Sequence, residues 1–232
     1  MIADRWGRWI SSLENYRFLD ILVNFGDAPF LGVYHTPSNL RDLLFCVAVL
    51  YGSMPALDFA GNQFSALMRG DTVHADIMKS VMQVGALSGN DKTFDWFDRQ
   101  LQESNIEHER LNMLSAFGCF KDEALIIKSQ RYILETVPAR NKFIPVVAMA
   151  SNPYAIPLLW DWYVTNLDEI EQFHPMLYER VIAAIVPVAG IKRADEVKTF
   201  FNEYLKKSDK AKDVIKLSLE RLEINLRMKR AG

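Results

Sequence analysis

The chain has 232 residues, half of them apolar, with 27 basic and 29 acidic side chains and a net charge of −2. That composition can bury a continuous core, and it excludes an intrinsically disordered chain or one that binds nucleic acid through a global basic field. The longest apolar run, nine residues from Leu43 to Tyr51, is far short of the roughly 20 that cross a bilayer, so no membrane partner is expected.

Apolar residues recur at helical spacing along nearly the whole chain, without an alternating stretch bounded by a hairpin turn. The pattern predicts helices at residues 2–12, 15–25, 39–52, 55–69, 74–88, 91–103, 107–120, 122–136, 140–150, 153–166, 175–188, 193–206 and 210–229. Taken in pairs they repeat every 30 to 40 residues or so, the range of HEAT-like arrays. The expected fold is therefore all-α: a single domain over 1–232, a curved α-superhelix of about 12 to 14 helices. In the final helix Ile215, Leu219, Leu222 and Leu226 form the apolar stripe expected to pack inward.

Helix punctuation fits this division. Ser38 with Asn39, Asp71 with Thr72, Asn90 with Asp91 and Ser208 with Asp209 offer side-chain oxygens for N-caps. Gly52, Gly70, Gly89 and Gly190 fall where helices should stop, suited to a left-handed cap. Pro55, Pro153 and Pro175 suit first-turn positions, whereas Pro145, Pro157 and Pro187 lie inside helical patterns and predict kinks or displaced ends.

Few residues carry a signal for chemistry. His108-Glu109 starts like a zinc-peptidase helix, but Asn112 stands where the second histidine belongs. Glu171 and His174 have Glu-x-x-His spacing without the second pair and extra glutamates that a di-metal bundle needs. His35, His74, His108 and His174 make no ligand spacing with one another, so no metal is expected in this chain. There is no nucleophile elbow and no phosphate-binding glycine loop. Asp95 with Asp98 reads as solvated surface, and Trp160, Trp162 and Tyr163 with Leu158 and Leu159 read as core. The segment from Lys206 onward holds nine basic and four acidic residues, interrupted enough to be a solvated face. Cys46 and Cys119, each in an apolar run, fit free thiols in a reducing cytoplasm, and the opening Met1-Ile2-Ala3-Asp4-Arg5-Trp6 lacks a signal-peptide pattern.

Residues 140–166, RNKFIPVVAMASNPYAIPLLWDWYVTN, resemble the C-terminal helical domain of zinc aminopeptidases of the aminopeptidase N type. Ile2 to Trp6, residues 109–125 (ERLNMLSAFGCFKDEAL), 194–201 (ADEVKTFF) and 223–227 (EINLR) extend the resemblance in the same order, and the archaeal tricorn-interacting aminopeptidases look most similar. The resemblance implies a lid of HEAT-like helices over a separate thermolysin-like catalytic domain, which is the expected partner along with the peptide substrate. That catalytic domain would hold zinc on HExxH and bind the peptide's amino terminus through Gly-x-Met-Glu-Asn, and neither motif occurs here. The chain is therefore expected to have no catalytic residue or cofactor of its own and to be inactive alone. Arg140, Asn141 and Asn152 match favoured family positions, and Arg140 or Lys142 could meet the distal carboxylate of a peptide. The same residues serve equally as helix caps. Where the family often has Gly-Arg after Asn-Pro, this chain has Ala155-Ile156. The alternative function, from another class, is a free-standing helical scaffold that binds protein through its concave face.

Overall fold

The computed structural model describes residues 48–50 and 52–230. The helices expected at 2–12 and 15–25, most of 39–52, the Ser38-Asn39 cap, His35 and Cys46 lie outside these residues. Among the described residues the fold is all-α, with eleven bounded α-helices, two 3-10 turns and no strand. Short connections and successive helix packing give the helical-array organisation that the sequence predicts. The chain divides after Ala116 into two compact units.

The first unit contains α1 (Met54–Met68), α2 (Ala75–Leu87), α3 (Asp91–Glu103) and most of α4 (Glu107–Phe117). Gly52 and Gly70 have φ of +86° and +92°, the left-handed region where glycine avoids a Cβ clash. Ala56 and Ala60 on α1 bury against Val84 on α2, with Ala48 and Val49 in the same cluster. The helices approach closely because Gly85 leaves its Cβ position to the Phe64 ring, whose Cγ lies 2.3 Å from where that carbon would stand. The other side of Phe64 meets Trp96 and Phe97, both with centroids 5.5 Å away.

The start of α3 matches expectation because Asn90 makes a capping box: its side chain accepts from Lys92 N at 3.0 Å while Thr93 Oγ1 accepts from Asn90 N at 3.4 Å. At α2 the expected cap moves. His74, not Asp71 or Thr72, occupies the N-cap, its Nδ1 accepting from Asp76 N at 3.2 Å.

The second unit contains α5 (Glu123–Glu135), a 3-10 turn at Ala139–Asn141, α6 (Phe143–Met149), α7 (Ile156–Thr165), the short α8 (Leu167–Ile170), α9 (Pro175–Ala189), a 3-10 turn at Gly190–Lys192, α10 (Ala194–Lys207) and α11 (Lys212–Arg230). Helix α9 is central, packing on α6, α7 and α11 and burying Tyr178, Val181, Ile182, Ile185 and Val186. Pro187 stays within α9; Asn225 of α11 donates to its carbonyl at 2.9 Å. Ile215 and Leu222 of α11 are fully buried, Leu219 and Leu226 half-buried, and Ser218 shares the inner seam.

Two glycines expected to be left-handed caps serve another purpose. A Cβ at Gly190 would stand 2.8 Å from Leu222 Cδ2, and one at Gly89 would stand 2.8 Å from the Gly85 carbonyl oxygen. Neither adopts positive φ, so close approach is what requires glycine there. Pro145 is the third residue of α6 and Pro157 the second of α7, first-turn positions where the missing N–H would have had no intrahelical acceptor.

Candidate functional site

The four sequence-selected residues lie where α5 gives way to α6 and α6 to α7. Arg140 is on the 3-10 turn and its side chain is exposed. Asn141 follows it into the interior, and its buried Nδ2 has no hydrogen-bond acceptor. Lys142 is engaged: its ammonium donates to the Leu134 carbonyl in the last turn of α5 and to Glu169 Oε1 at 3.2 Å. It also sits 5.7 Å from the Phe173 ring centroid. A cation at the carbonyl end of α5 is favoured by the helix dipole, so Lys142 performs the helix-end role that the sequence left open for Arg140.

Asn152 is not brought together with the others. It is buried, and its Nδ2 donates to the Gly118 carbonyl at 3.1 Å and the Phe120 carbonyl at 2.7 Å. Its Oδ1 accepts from Tyr154 N at 3.1 Å, a local turn in front of α7. Both amide protons are therefore used, clamping the α4–α5 junction to the α6–α7 turn. Gly118 is required at this junction, because a Cβ there would lie 2.4 Å from the Pro145 carbonyl oxygen.

One cation near this corner carries no motif. The Arg180 guanidinium of α9 lies 4.9 Å from the centroid of Phe143, the first residue of α6. Arg180 is exposed, and a guanidinium stacked on an aromatic ring keeps its donor edge available. Arg140, on the turn before α6, and Arg180, over the Phe143 ring, are both exposed, and a guanidinium is a side chain suited to a carboxylate.

A second polar constellation lies between α7, α9 and α10. Tyr178 Oη is 3.1 Å from Tyr163 Oη, 3.3 Å from Tyr204 Oη and 3.5 Å from Glu171 Oε1. Lys210 donates to the Glu171 carbonyl and rests over the Tyr178 ring. Burial pushes the Tyr163 and Tyr178 hydroxyls far above the ordinary phenol range, and burial also raises Tyr204. These groups stay protonated at neutral pH and do not act as bases. Beside them, Trp160 packs on Tyr163 and Phe200, and its Nε1 donates to Glu196 Oε1 at 2.9 Å. Arg193 bridges Glu196 and Asp161. The tryptophan-rich segment is thus buried core, with Trp160 and Tyr163 at 1% and 0% exposure.

Among the described residues no three His, Cys, Asp or Glu side chains converge as a metal site. His108 is on α4 and His174 at the N-cap position of α9, while the Glu171 carboxylate faces Tyr178. Basic residues of the last segments form surface pairs, Lys206 with Glu203 and Lys212 with Asp209. No described helix is long and apolar enough to cross a membrane.

Comparison with known proteins decides the family: the ERAP1-like C-terminal domain matches residues 26–224. The chain belongs to that family. An aminopeptidase 2 of Candida albicans is similar at 26% identity over 136 residues, covering 57% of this chain and 15% of its own length. Glutamyl aminopeptidases of Rattus norvegicus and Mus musculus are 21% and 20% identical over 206 residues, 82% of this chain and 22% of theirs. This member of the family thus spans about a fifth or less of the length of those relatives.

Proposed function

We propose that this ERAP1-like C-terminal domain is the lid of a zinc-dependent aminopeptidase that removes N-terminal residues from peptides in the cytoplasm. The single observation that carries the reading is the family match over 26–224, joined by similarity to proteins named as aminopeptidases. The catalytic domain of the same enzyme, carrying zinc on its own ligands, is the partner. Kinship with the archaeal tricorn-interacting enzymes belongs to this reading.

In it, the helical array encloses the substrate chamber and contacts the distal part of the peptide. Arg140, exposed on the turn before α6, is the side chain offered for that contact, while Lys142 and Asn152 bind carbonyls and Glu169 within the fold. Arg180 beside Phe143 supplies a second charge for the peptide carboxylate. Asn141, next to Arg140, is buried with one unpartnered amide nitrogen.

Two measurements test this. The chain alone, with and without added zinc, should turn over no aminoacyl amide; chelator-sensitive turnover by the pure chain would overturn the lid assignment. Peptides with a free C-terminal carboxylate should bind more tightly than their amides, and Arg140→Ala should erase the difference. Equal binding of acid and amide would remove Arg140 from the site.

A further inference from the structure

We draw no further inference here: the strongest candidate, the apolar stripe of Leu217, Ile224 and Met228 on the outer face of α11, carries none, because nothing in the structure shows what covers it.

Discussion

Replacing Asn152 by alanine removes two donors from the Gly118 and Phe120 carbonyls and the acceptor for Tyr154 N. An orphaned buried polar group costs about 1–3 kcal/mol. The two carbonyls together should therefore lower stability by about 3 kcal/mol, the near-surface Tyr154 amide adding little. In a chain of this size that lowers Tm by about 6–12 °C. Asn152→Asp sharpens the test because the shape is kept. Its ionised carboxylate would face two carbonyl oxygens and be disfavoured by folding, so its folded pKa must rise above the ordinary value of about 3.9. A group raised in this way contributes stability below its unfolded pKa and loses it as pH climbs through the folded value. Asn152→Asp should thus be more stable than Asn152→Ala near pH 4 and less stable at pH 8, measured by thermal melts of both variants in matched buffers. A Tm for Asn152→Ala within about 1 °C of the parent would show that water satisfies those carbonyls. The amide would then be free to meet a ligand.

Gly118→Ala should destabilise by at least the roughly 1–3 kcal/mol of an overpacked site, because the added carbon meets the Pro145 carbonyl at 2.4 Å and backbone must yield; urea denaturation measures it. Leu222→Asp puts an unpaired charge at a fully buried position and should release α11, lowering Tm and amide protection from residues 212–230; unchanged exchange there would refute the seam. The buried tyrosines set an alkaline limit. Tyr163 and Tyr178 are raised in the folded state, so their contribution is complete below about pH 10, the unfolded phenol value, and falls at higher pH as the unfolded chain releases protons. Absorbance at tyrosinate wavelengths should show those two residues ionising only with unfolding.

The sequence makes helices legible where local chemistry closes them. The 91–103 prediction coincides with α3 because a polar capping box fixes one end and the last apolar contact, Leu101, the other. It fails where the terminating cause is distant. The expected 107–120 helix stops at Phe117 because Gly118 must pass close to the Pro145 carbonyl, a contact with no local signature. Likewise 140–150 splits into a 3-10 turn and α6 as Asn141 turns inward and Lys142 reaches Leu134 and Glu169. The same distinction governs the candidate site. The family resemblance singled out Lys142 and Asn152 but could not reveal partners 27 to 34 residues away. Arg180 and the three-tyrosine cluster escaped because their members are spread over α7, α9 and α10 and share no spacing rule.

The contact between Phe64 and Gly85 constrains how this domain can diverge. With the ring occupying the space of a Cβ at 85, no side chain can be introduced at that position while the ring remains. The viable route passes through position 64 first, a smaller residue there opening room that alanine at 85 then fills. Each change alone leaves either a cavity or a collision. Members of the lineage should therefore carry the large–small pair or its exchanged counterpart, with intermediates rare. A library randomised at both positions would recover that correlation directly.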